Sequence, residues 1–108
     1  MTTAETAAVH PDVPEILAQV VDAMKYLDTP SSSVKDAADP RFAALADAMV
    51  EMSLIASMTG QLEYGHVVSL AFFTAISEED PTQRREGLLK LAALTVEWIR
   101  AIDERSGK

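Results

Sequence analysis

The sequence predicts an all-α fold of about four helices, on three observations. Apolar residues recur at intervals of three and four through most of the chain. Two segments open on the same start signal, an aspartate followed by proline, at Asp39-Pro40 and Asp80-Pro81. Between them lies an uncharged stretch, Val67-Val68-Ser69-Leu70-Ala71-Phe72-Phe73-Thr74-Ala75-Ile76, apolar on every side. It is too short for a bilayer, which needs roughly 20 apolar residues, so it belongs in a packed core or an interface.

The elements follow in order. Residues 1–10 are small and polar and are expected to form a tail ahead of one helical domain over 11–108. Asp12 can cap a first helix, with Pro14 in its first turn, Glu15 at capping-box spacing, and Ile16, Leu17, Val20, Val21, Met24 and Leu27 on its apolar side. Pro30 and Ser31-Ser32-Ser33 end it and begin a linker over about 28–40, with one short turn expected near 34–38. The second helix starts at Asp39-Pro40. Phe42, Leu45, Met49, Met52 and Ala56 share one face, Val50, Ile55 and Met58 widen that stripe, and Gly60 is placed to cap its end. The apolar helix runs from about His66 to Ser77. The last helix runs from Pro81 to about Glu104, with Gln83 at capping-box spacing. One stripe there carries Leu88, Leu91, Leu94, Trp98 and Ile102, and a second carries Leu89, Ala92, Val96 and Ile99. Two stripes on one helix imply two packing partners.

Composition narrows the function classes. Of 108 residues 48% are hydrophobic, rich for so small a domain, so a homo-oligomer, dimer or higher, is expected to cover part of that surface. The net charge of −8 argues against nucleic acid as partner. The charge is also uneven. Residues 1–83 hold three basic and thirteen acidic side chains, residues 84–108 six and four. The basic end of the chain could therefore meet the acidic part of a neighbouring copy. With no cysteine there is no thiol chemistry. The N-terminal residues lack the basic start and apolar run of a signal peptide, which points to the cytoplasm.

The chemistry-bearing residues are sparse. His10 falls in the tail and His66 opens the apolar helix, with no second histidine or Glu-x-x-His pair to make a metal site. Serines 31–33 read as loop. Tyr64 and Trp98 read as core residues with a polar edge, and Met49, Met52 and Met58 as adaptable packing. Glu51 stands alone, and Glu86, Glu97 and Asp103 are too widely spaced to share an ion. Glu78-Glu79-Asp80 reads as favourable charge at a helix start.

The segment Gly60–His66, the apolar helix, the turn Glu78-Glu79-Asp80-Pro81, and the runs Arg84–Leu94 and Glu97–Asp103 together resemble the MazG-like group of all-α nucleoside triphosphate pyrophosphohydrolases. The likeness is greatest to its short phage and actinobacterial forms, and it covers under half of the chain. In that family an E-E-x-x-E motif and an E-x-x-D motif hold Mg²⁺ against a triphosphate. Here the first motif falls on Leu70, Ala71 and Thr74, and the second on Gly87 and Lys90. A shift of one residue recovers Glu86 alone. The resemblance therefore implies a degenerate member with no catalytic residues, no metal ligands and no cofactor, its former site packed shut or turned into an apolar pocket.

Three functions are expected from this reading. The first is a non-catalytic, MazG-like helical protein, a phage or accessory regulator, that binds a protein partner or itself. The second is a Mg²⁺-dependent pyrophosphohydrolase whose ligands have moved, to Glu78, Glu79 and Glu86 of one chain meeting acids of another. The third is an oligomerisation module unrelated to MazG. For core or interface the sequence nominates Val67, Phe72, Phe73, Ile76, Leu91, Trp98 and Ile102.

Overall fold

The computed structural model describes residues 12–27 and 34–106. The expected tail with His10, and Pro30 with Ser31–Ser33, lie outside the described residues. All regular structure among the described residues is helical: α1 (Val13–Met24), α2 (Phe42–Met58), α3 (Tyr64–Ser77) and α4 (Pro81–Arg105). The all-α class is thus the one observed. None of these helices is long and apolar enough to cross a membrane. The chain divides into two compact units, one of residues 35–95 and one containing α1 and residues 96–105 of α4.

In the unit of residues 35–95, α2 and α3 form a hairpin. The rings of Phe42, at the start of α2, and Phe73, near the end of α3, stack with centroids 5.9 Å apart. There, too, the Asp39 N–H donates to the Ile76 carbonyl at 2.9 Å. The opposite ends are joined by a short connector, so the two helices run antiparallel. That connector is a Schellman turn: Gly60 N–H donates to the Ser57 carbonyl at 3.3 Å, and Gln61 N–H to that of Ala56 at 2.7 Å. Gly60 has φ +71°, the left-handed conformation that such a turn needs and that glycine adopts without strain.

α3 begins with a capping box. The Glu63 side chain accepts from the His66 backbone N–H, and His66 Nδ1 accepts from the Glu63 N–H at 3.1 Å. Histidine here fills the place usually held by Glu or Gln. His66→Ala is expected to lose about 1 kcal/mol of stability, read as a lower urea midpoint.

The helix starts depart slightly from expectation. Regular α2 opens at Phe42, because Asp39, Pro40 and Arg41 form a turn closed by Phe42 N–H on the Asp39 carbonyl at 3.0 Å. Asp39 still accepts the Arg41 backbone N–H at 3.0 Å, two residues on. Its carboxylate is also gripped by the Arg41 guanidinium, Nη2 to Oδ2 at 2.6 Å, and these hydrogen bonds hold its pKa below the usual carboxylate value. At the start of α4, Asp80 Oδ1 accepts the Thr82 N–H at 3.1 Å, the cap foreseen. The expected turn over 34–38 is absent; those residues have no helical turn.

The buried faces are narrower than the apolar pattern implied. On α2, Ala46 and Ala56 are buried, and Phe42, Met49 and Ser53 lie half-buried on the same side. Leu45 and Met52, expected on the core face, are about half exposed, and Val50, Ile55 and Met58, expected to widen it, are exposed as well. The face turned inward is the one with small side chains. On α3 the buried residues are likewise alanines, Ala71 and Ala75. Large side chains would hold helix axes apart, whereas alanines let them approach and leave the bulkier neighbours outside.

In the other unit, α1 runs from Val13, with Asp12 in the cap position and Pro14 in the first turn, as expected. It ends at Met24, three residues short of the predicted Leu27. Successive i to i−3 bonds, from Lys25 to Asp22, Tyr26 to Ala23 and Leu27 to Met24, tighten its last turn and stop it. Of its predicted apolar stripe only Ile16 is buried; Leu17, Val20, Val21 and Met24 are exposed. On the same unit's part of α4, Arg100 spans Glu97 and Glu104, with Nη1 to Glu104 Oε2 at 2.7 Å.

Candidate functional site

The best-organised polar feature is the corner where α3 gives way to α4. α3 stops at Ser77, whose hydroxyl donates to the Thr74 carbonyl at 3.0 Å, and Glu78 leaves in an extended conformation. Asp80 then caps α4. One turn into α4 comes Arg84, the only buried charged side chain among the described residues. Its Nε and Nη2 donate to Asp36 Oδ1 and Oδ2 at 2.8 and 3.0 Å. Its Nη1 donates to the Glu78 carbonyl at 2.6 Å and to that of Glu79 at 3.3 Å. One guanidinium thus clamps the segment before α2 to the turn before α4. Its planar fork satisfies a carboxylate on one edge and carbonyls on the other. The Arg84 hydrogen bonds hold Asp36 below the usual carboxylate range, and Asp36 in turn raises Arg84.

Beside this clamp lies an open hollow of about 340 Å³, lined by Thr74, Ala75, Glu78, Gln83, Glu86, Gly87 and Lys90. Its floor is a close helix contact. A Cβ built on Gly87 would stand 2.9 Å from the Ala75 Cβ and 3.1 Å from its Cα. Ala75 is 0% exposed. Glycine at 87 is what lets α4 settle onto α3 at this depth.

Three of the five aligned motif positions, Thr74, Gly87 and Lys90, line this one hollow. Ala71 is buried and Leu70 half-buried, both elsewhere on α3. The space is not packed shut: it is an open hollow, apolar over most of its lining. Ala75 and Gly87 close the floor, but Glu78, Gln83, Glu86 and Lys90 give the walls charge and hydrogen-bonding capacity. These residues do not fit a divalent cation. Lys90 brings a positive charge to the only two acids present, and among the described residues no three His, Asp or Glu side chains come together to hold a metal ion.

Of the nominated core or interface residues, Val67, Phe73, Ile76 and Leu91 are half-buried. Phe72 is 42% exposed, Trp98 38% and Ile102 50%. Phe72 packs against Phe73 with ring centroids 5.4 Å apart. Asp36 and Arg84 were not singled out from sequence. A signal was available, since a cation in the first turns of a helix opposes the dipole there and so asks for a partner of its own.

No protein-family model, curated protein or solved structure matches the chain.

Proposed function

We propose that this chain is a non-catalytic, MazG-like helical protein that acts by binding protein surfaces, first of all a second copy of itself. The observation that carries the reading is the inversion of its apolar content. The buried apolar residues among those described are Ile16 and four alanines, while large side chains such as Leu54, Ile55, Met58, Leu88 and Leu89 are 44–77% exposed. Each of these is worth about 1.5–3 kcal/mol when fully buried, and large apolar side chains grouped on an exposed helix face, as on α2 and on α4, mark interaction surfaces. The MazG-like part of the reading is supported by Thr74, Gly87 and Lys90 sharing one hollow, as aligned motif positions would.

A second reading, a pyrophosphohydrolase with moved ligands, is favoured by one observation: Glu78 and Glu86 face the same hollow. One experiment separates them. Light scattering at low micromolar concentration is expected to give a mass of at least twice 11.7 kDa. A Mg²⁺ or Mn²⁺ titration with a panel of nucleoside triphosphates is expected to release no pyrophosphate. A stable monomer would overturn the self-binding reading, and release proportional to protein concentration would establish the second.

A further inference from the structure

The self-binding reading leaves open which faces meet, and the charges on the exposed helix faces bear on that. The side of α2 turned away from its buried alanines carries Asp47, Glu51, Leu54, Ile55 and Met58, at successive spacings that keep them on one face. All five are exposed; Leu54 is at 59%, Ile55 at 57% and Met58 at 77%. No lysine or arginine lies anywhere in Phe42–Met58. Neither Asp47 nor Glu51 makes an ion pair or side-chain hydrogen bond among the described residues. An apolar face with two unanswered acids is a poor match for its own twofold copy, because that copy brings no lysine or arginine to answer them.

The complementary face is on the same unit's part of α4. Arg85, Leu88, Leu89 and Ala92 recur there at helical spacing, all exposed. Arg85 is likewise unpaired among the described residues. The other free charges of this stretch, Glu86 and Lys90, turn to the hollow instead, so Arg85 sets the sign of the leucine face. Arg84 is spent on Asp36.

We infer that the acidic, apolar outer face of α2 in one copy takes the basic, apolar outer face of α4, around Arg85, Leu88 and Leu89, in another. Leucines and methionine supply the buried area, and the Glu51–Arg85 pairing fixes which face meets which, as charge patterns do at interfaces. A face of this kind disfavours α2 on α2 by like-charge repulsion and is weakened by salt.

The inference rests on self-binding as the chain's mode of action, and a charge exchange tests the two apart. Wild type, Glu51→Lys, Arg85→Glu and an equimolar mixture of the two variants are compared by sedimentation velocity at low ionic strength. Circular dichroism confirms unchanged helix content, as befits exposed positions. Each variant alone is expected to weaken association by about tenfold or more, because Glu51→Lys sets a second cation against Arg85, and Arg85→Glu sets a second acid against Glu51. The mixture is expected to recover wild-type association, since both the exchanged and the original pairing are then available. If wild type associates and the mixture is no better than either variant, the α2–α4 assignment is wrong while self-binding stands. If wild type is monomeric, both fall.

Discussion

Gly87→Val is expected to destabilise the chain by about 2–3 kcal/mol, although valine is the better helix former. Glycine in a helix interior costs about 1 kcal/mol relative to alanine, so an exposed Gly87 would be stabilised by substitution. This one is not free. The first added carbon already lies 2.9 Å from the Ala75 Cβ and 3.1 Å from its Cα. The second of these is backbone, which cannot swing aside, so α3 and α4 must separate. Overpacking of this kind costs about 1–3 kcal/mol, and two further methyl groups place valine at the upper end. Gly87→Ala, where the propensity gain offsets part of the clash, is expected to lose less. Urea denaturation followed by circular dichroism measures both. A midpoint equal to or above wild type for valine would mean that the two helices do not meet at this depth. Pairing Gly87→Ala with Ala75→Gly returns the space on the other side of the contact and is expected to recover part of the loss.

The same contact bears on the MazG resemblance. Position 87 is where the aligned family motif carries an acid. A glutamate there would need the helices spread, with room for a cation between them. The observed crossing and a carboxylate at 87 are alternatives.

What the sequence made legible follows the same physics. Local chemistry was readable: the cap at Asp80 and the glycine stop at Gly60 each depend on a few neighbouring atoms, and both formed, whereas Asp39-Pro40 made a turn just ahead of α2, whose N-cap is Arg41. Faces were harder. On α2 most positions are Ala, Leu, Ile, Val, Met or Phe, so apolar residues wrap most of the helix and only Asp47 and Glu51 mark its outer side. Large residues were assigned inward, whereas the inner face is Ala46, Ser53 and Ala56, selected for size. One residue of rotation moved Leu45 and Met52 out. The Ser53 hydroxyl, buried without a hydrogen-bond partner among the described residues, shows that this seam is chosen for closeness even where polarity suffers. The Asp36–Arg84 clamp was half legible: a cation in the first turns of α4 asks for a partner, but that partner lies 48 positions away, and no local pattern joins them.

That clamp yields the second large effect. Arg84→Ala is expected to lower the melting temperature by several degrees, and by more than Asp36→Asn. Removing the guanidinium takes both hydrogen bonds from the Glu78 and Glu79 carbonyls and returns the largely exposed Asp36 carboxylate to water, whereas the asparagine variant leaves Arg84 its two carbonyl acceptors. Arg84→Lys is expected to rescue little, since one ammonium cannot reach both edges. The pH dependence adds a signature. Asp36 is held below its ordinary pKa in the folded chain by the Arg84 hydrogen bonds. Its contribution is therefore complete above the unfolded carboxylate value, about 3.9, and is lost as pH falls through the lower folded value. Arg84 stays charged throughout, its own pKa being raised. Wild type minus Asp36→Asn should accordingly give a stability difference that is flat from neutral pH down to the carboxylate range and shrinks only below it. A difference that faded nearer neutral pH would have to come from another group. A clamp that held only through packing would give one that did not fade at all, and the charge on Asp36 would then have no part in fastening the segment before α2 to the α3–α4 turn.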